Sequence, residues 1–152
     1  MWDRPRAVSV VSGSSEGLTE LTAFDRALMD AGIANLNFLR VSSILPADVT
    51  VVPVPTFVPG TLVPAVYARI ASRTPGERIV AALGLGFSRG QYGVIMEYEH
   101  AGTAAHAEAA VRRMVEEAMA IRELPIKEVQ VVLKEHIVQR IGCAIAAVVF
   151  WP

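Results

Sequence analysis

Apolar and polar positions along this chain change their period several times, and each change marks an element. Residues 6–11 (RAVSVV) read as a first strand, and 13–17 (GSSEG) as a turn-rich loop. Thr19 suits an N-cap for a helix to about Ala31, with Glu20 in its first turn and Gly32 as its stop. Leu21, Phe24, Leu28 and Ala31 fall on one helical face and predict its buried stripe, with Asp25 beside them. A strand follows in which Leu36, Phe38 and Arg40 point one way and Leu39 and Val41 the other. It ends in two adjacent hydroxyls, Ser42 and Ser43, just before Pro46. Val41 and Ile44 flank the pair, which predicts a partly buried setting for both serines.

Residues 49–54 predict another strand, and Pro53, Pro55 and Pro59-Gly60 a link after it. Strand-like runs at 61–72, 78–87 and 91–99 are separated by turns at 74–77 and 88–90. Residues 103–123 predict a second helix, broken by Pro125. Ala107, Val111, Met114, Ala118 and Ile121 are its expected buried stripe, with Arg112, Arg113, Glu116, Glu117 and Arg122 on the wet face. Residues 126–136 alternate like a half-exposed strand, and 142–151 are apolar enough for a fully buried one. So few helices cannot cover both faces of a parallel sheet. The pattern therefore predicts an α+β fold, with two main helices outside mainly antiparallel sheet.

The length, 152 residues, predicts a single domain over 1–152. The chain is 53% hydrophobic with a mean hydropathy of +0.42. The excess is Ala and Val spread along the sequence, with no run approaching the ~18–20 residues of a membrane span. That implies a core buried on more than one face, or surface hidden between subunits. A formal net charge of -1 without charge blocks argues against nucleic acid or an anionic membrane as partner. The start, Met1-Trp2-Asp3-Arg4-Pro5-Arg6, does not read as a signal peptide, so a cytoplasmic location is expected. Cys143 is the one cysteine, which excludes an intrachain disulfide and a cysteine zinc site and predicts a buried, inert thiol.

Several chemistries have no footing. His100, His106 and His136 show no metal-ligand spacing, so no metal is expected. Residues 84–90 (GLGFSRG) suggest close strand packing and a turn rather than a nucleotide loop, and 13–17 lack the lysine of a phosphate loop. Lysine occurs only at 127 and 134, both read as solvated strand positions. Pyridoxal phosphate needs a lysine for its internal Schiff base, so no PLP is expected.

The Ser42-Ser43 pair offers an alternative. The Ser43 hydroxyl can attack the carbonyl carbon of Ser42 and convert the amide to an ester. Elimination of that ester releases the Ser42 carboxylate and leaves dehydroalanine at 43, which takes up water and loses ammonia to give a pyruvoyl group. The chain then carries its own electrophilic ketone, with no lysine and no PLP.

The chain resembles the pyruvoyl-dependent arginine decarboxylases. The resemblance is carried by residues 11–17 (VSGSSEG), 22–28 (TAFDRAL), 31–37 (AGIANLN), 40–46 (RVSSILP) and 52–55 (VPVP). It continues through 60–64 (GTLVP), 75–77 (PGE), 95–99 (IMEYE) and 142–147 (GCAIAA), in order and across nearly the whole chain. The resemblance implies an α/β sandwich that assembles as a trimer or a pair of trimers, with active sites between subunits. It implies self-cleavage between Ser42 and Ser43 into a 1–42 β chain and a 43–152 α chain headed by a covalent pyruvoyl group derived from Ser43. Asn37 occupies the place of the asparagine that assists processing. Glu97 matches the catalytic acid, and Asp25 the aspartate that holds the substrate guanidinium. The implied reaction converts arginine to agmatine and CO2.

Glu97 must be protonated to deliver a proton to the former α-carbon. That leads to an expectation of a desolvated site or a neighbouring carboxylate, with Glu99 as the candidate neighbour. His100 stands where small residues are common in the family and is close enough in sequence to influence Glu97. Two other readings stay open: a decarboxylase for another basic amino acid, and a trimeric small-molecule-binding module of this fold that never matures.

Overall fold

A computed structural model describes residues 3–152; Met1 and Trp2, part of the start read above, lie outside the described residues. The strands are β1 (Ala7–Glu16), β2 (Asn37–Arg40), β3 (Ile44–Leu45), β4 (Thr50–Val51), β5 (Leu62–Ser72), β6 (Arg78–Ser88), β7 (Gln91–Ala101), β8 (Glu128–Ile137) and β9 (Gly142–Trp151). The helices are α1 (Glu20–Asp30) and α2 (Ala104–Ile121). One sheet has the order β2-β5-β9-β1-β4 and the other β3-β7-β6-β8. Only the β1–β4 and β2–β5 pairings are parallel; the rest are antiparallel. The sheets pack face to face, with α1 on the outside of the first and α2 on the outside of the second. The α+β expectation holds, with two helices and mainly antiparallel sheet.

β9 shows why a sequence with this many Ala and Val folds this way. Ala144, Ala146, Val148 and Phe150 face the core between the sheets, while Cys143, Ile145, Ala147, Val149 and Trp151 face the core under α1. Period-2 alternation is invisible in such a strand because both faces are dry. Burial also pushes the Cys143 thiol up to about 11, consistent with an inert packing residue. Gly84 and Gly86 lie under α2, where an added Cβ would come within 2.9 and 2.7 Å of Val115 methyl groups. Close packing is therefore what the glycine-rich run provides.

Four expectations need correction. Residues 13–16 are not a loop: β1 runs on to Glu16 because β9 pairs with it position by position from Ala7↔Trp151 to Glu16↔Gly142. Gly13 is there for contact, since a Cβ at that site would meet the Ala27 carbonyl oxygen of α1 at 2.3 Å. The strand expected over 49–54 shrinks to Thr50–Val51, since Pro53 and Pro55 have no N–H for a ladder. On α1 the buried residues are Ala23, Ala27 and Leu28, and Leu21 is 69% exposed. On α2 Val115 and Met119 are buried and Ile121 is 72% exposed. In both helices the sheet selects small or centrally placed side chains, and the outlying Leu21 and Ile121 fall beyond the contact.

Candidate active site

The chain changes sheets at the two serines. β2 is the edge strand of the first sheet, in register with β5 from Asn37↔Leu62 to Arg40↔Ala65. The Val41 N–H extends that ladder by donating to Ala65 O at 3.1 Å. β3 then joins the edge of β7 in the second sheet, with Ile44 opposite Val94. The Ile95 N–H donates to Ser43 O at 2.8 Å. The Ser42–Ser43 peptide is thus held on one side by one sheet and on the other side by the other. A strand that must leave its sheet has no ladder partner at the crossing, and small hydroxyl residues suit that position.

This placement corrects the expected burial. Ser43 is half-buried, but Ser42 is exposed, and Val41 and Ile44 are 42% and 43% exposed. An edge strand and a crossover have no second layer over them within one chain.

A cavity of about 280 Å³ opens at this crossing. Ser42, Ser43, Arg40, Val41 and Glu97 supply one part of its wall, and Val66, Ile95, Met96 and Met114 the apolar part. Glu97 reaches it because β7 runs past the end of β3 with its edge open. Arg40 Nη2 donates to Glu97 Oε1 at 3.1 Å and to Tyr67 O at 3.0 Å, and its guanidinium lies 4.6 Å from the Tyr67 ring centroid. The side chains of Arg40 and Glu97 are 53% and 43% exposed. The desolvated Glu97 expected from the sequence is therefore not what one chain contains: its observed partner is a guanidinium. Glu99 shares its face two residues on, whereas Tyr98 and His100 lie on the opposite face, beside His106 of α2. His100 is thereby removed from the cavity.

The structure brings together Ser42, Ser43 and Glu97, and it does not bring Asn37 or Asp25 to them. Asn37 Nδ2 donates to Gly60 O at 3.0 Å at the far end of β2, about 16 Å from Ser42 at strand rise. Asp25 is exposed on α1 and does not line the cavity. The sequence places Arg40 only as a neighbour of the Ser42–Ser43 bond, and Tyr67 carries no signal in it. The available signal was that Arg40 is the one charge within residues 36–46.

The chemistry the arrangement permits is specific. No lysine lines the cavity, so the wall offers no anchor for a pyridoxal aldehyde. No group of His, Cys, Asp and Glu among the described residues is placed to hold a metal ion. What the wall does hold is a serine that can become a ketone, and a carboxyl group beside it. The donor set fits a pyruvoyl group made from Ser43.

Comparisons with known proteins agree with that fit. The model of the pyruvoyl-dependent arginine decarboxylase family matches residues 7–152. A pyruvoyl-dependent arginine decarboxylase of Methanocaldococcus jannaschii is 42% identical over 149 residues, covering 97% of this chain and 90% of that protein. Those of Pyrococcus abyssi and Thermococcus sibiricus are 41% and 42% identical, each covering 99% of this chain and 98% of the relative.

Proposed function

The chain belongs to the pyruvoyl-dependent arginine decarboxylase family, and from that premise we propose that it cleaves itself between Ser42 and Ser43 and decarboxylates arginine to agmatine. The observation that carries this reading is the crossover: the bond to be cut spans the two sheets, at a cavity that also holds Glu97. Ladder bonds on either side anchor the backbone that flanks the Ser42–Ser43 peptide, which favours attack within the chain. After scission the two pieces stay joined, because β1 of the first pairs with β9 of the second along ten positions.

The pyruvoyl ketone supplies an electrophile for the substrate α-amine and a sink for the electron pair left by departing CO2. The remaining work falls to side chains. Glu97 delivers the proton to the former α-carbon, a role worth about 10²–10⁴-fold in rate for a positioned acid. Val66, Ile95, Met96 and Met114 form the apolar part of the wall, where departure of a carboxylate as neutral CO2 is favoured. Asp25 holds the substrate guanidinium by two parallel hydrogen bonds, which selects arginine over lysine or ornithine.

Asp25 and Asn37 can meet the cavity only if a second copy contributes them, so the working enzyme is an oligomer, a trimer or a pair of trimers. Leu18, Leu21, Val58 and Leu62 are 88%, 69%, 74% and 66% exposed in one chain, and burial between copies would remove that apolar surface. No helix among the described residues is long and apolar enough to cross a membrane. The same reading places the enzyme in the cytoplasm with its amino-acid substrate.

Intact mass spectrometry of freshly purified protein tests the core of the proposal. Two fragments split after Ser42, with CO2 released from arginine faster than from ornithine or lysine, are expected. A single full-length chain would sink it.

A further inference from the structure

Among the described residues of the cavity wall, Arg40 is the charged group to which the proposed reaction gives no part. Its present contact works against that reaction. An ion-paired carboxylate is an anion, whereas a proton donor has to hold a proton. The described residues that line the cavity with Glu97 offer no way out. Its cross-strand partner on β6 is Leu83, β5 contributes Val66, α2 contributes Met114, and the crossover contributes Ser43, all uncharged. Glu99 on the same strand face adds a second carboxylate and not a cation.

The proposed self-cleavage changes this balance, so the role of Arg40 rests on the self-processing reading. Scission leaves a new carboxylate on Ser42, in the same fragment as Arg40 and two residues further on. Two extended residues span about 7 Å, within reach of an arginine side chain. Glu97 belongs to the other fragment. The existing Arg40–Glu97 pair is half exposed, and such pairs hold by no more than about 1 kcal/mol. A tethered carboxylate on the same short segment competes at high effective concentration. We propose that Arg40 is a positioning residue that changes partner on maturation: it holds Glu97 in the uncut chain and the Ser42 carboxylate in the cut enzyme. Self-cleavage then does two jobs, making the ketone and releasing the acid. The uncut precursor is kept inactive twice over.

Two crystal structures test the exchange directly: the uncut Ser43→Ala chain and the matured wild-type enzyme, with intact mass spectrometry counting fragments in each sample. The guanidinium should sit on Glu97 in the first and within about 3.5 Å of the Ser42 carboxylate in the second. A matured enzyme with Arg40 still on Glu97, or on neither carboxylate, overturns the proposal. Kinetics separate positioning from mere structure. In cut Arg40→Met enzyme the Ser42 carboxylate is left unpaired near Glu97. The alkaline limb of kcat should then move up by about one pH unit, and Arg40→Lys should restore it. An equal loss of kcat at every pH overturns the positioning role. A wild-type chain that never cuts overturns this proposal together with the self-processing reading. One that cuts but keeps the Arg40–Glu97 pair overturns this proposal alone.

Discussion

Two corners of the sandwich are built from similar parts and come out differently. At one, Arg40 of the first sheet meets Glu97 of the second beside Ser43. At the other, Glu16 of the first sheet meets His136 of the second beside Ser14. Each corner joins the sheets through a carboxylate and a nitrogen-bearing side chain, with a serine beside the pair. The difference is how many polar atoms are satisfied. Glu16 accepts from His136 Nε2 and also from the backbone N–H groups of Gln139 and Arg140 at 3.2 and 2.7 Å. Ser14 Oγ lies 3.2 Å from His136 Nδ1, and its N–H donates to Asp30 of α1 at 3.0 Å. The polar groups of this corner are saturated, although a cavity of about 220 Å³ lined by Glu16, Gln139 and Arg140 opens beside it, and they tie the turn after β8 to the end of β1. The Arg40 corner also has a cavity, but its two charged side chains and Ser42 are exposed, and Arg40 is the one hydrogen-bond partner of Glu97 among the described residues. A saturated polar cluster holds structure, whereas an exposed, unsaturated one is free to change partners.

The sharpest way to break this contrast is at Ser43. Ser43→Ala should stay full-length and lose all decarboxylation, because the proposed ketone is made from Ser43; gel and intact mass check it. Ser14→Ala should cut and turn over like wild type. Cleavage lost in Ser14→Ala would put chemistry in the wrong corner.

Glu97→Gln comes next. The variant should still cut, with kcat lower by about 10²–10⁴-fold, the usual range for a lost general acid. Normal turnover in a cut Glu97→Gln enzyme would remove Glu97 as the proton donor.

Asp25→Ala should lower kcat/KM for arginine by about 10–150-fold, the equivalent of roughly 1.5–3 kcal/mol for charged hydrogen bonds. Its rates with ornithine and lysine should change far less. Competition kinetics with the three amino acids measure that ratio.

The smallest effect belongs to the saturated corner. Burial works against the Glu16 carboxylate, but the His136 side chain, the Arg140 N–H, the His136 charge and the Gln139 N–H together hold it below its ordinary value. A carboxylate lowered on folding stabilises fully above its unfolded value of about 4.3 and loses that contribution as pH falls through the lower folded one. Glu16→Gln should therefore reduce stability at neutral pH, by about 1–3 kcal/mol for the hydrogen bonds weakened, and flatten the acid side of the stability curve. Denaturant titrations across pH 3–7 check it, and self-cleavage should be unchanged.

The long elements were legible because their reasons are local. Thr19 caps α1 as its position suggested, α2 starts within a residue of its expected beginning, and β8 and β9 differ in burial as their patterns do. The buried faces of the helices were less legible. Leu21 and Ile121 satisfy the helical period, yet the sheets beneath take Ala23, Ala27, Val115 and Met119 instead. Periodicity names a face to within about a residue, while contact with a particular sheet decides it. The run from Gly13 to Glu16 misled for the same reason. Its turn-like composition is overruled by β9, which lies more than a hundred residues away along the chain.

What the sequence alone determined is the chemistry that can be made: a serine pair to cut, only two lysines in the chain, and a carboxylate in the segment IMEYE. Those are covalent facts, and no fold changes them. Tertiary structure decided which groups meet. It set the serine pair at the crossing between two sheets and gave Glu97 a guanidinium instead of a dry pocket. It also left Asn37 and Asp25 outside the cavity of one chain. The physical reason is that a side chain's neighbours come mainly from strands and helices remote in sequence, and only packing brings them within hydrogen-bond range.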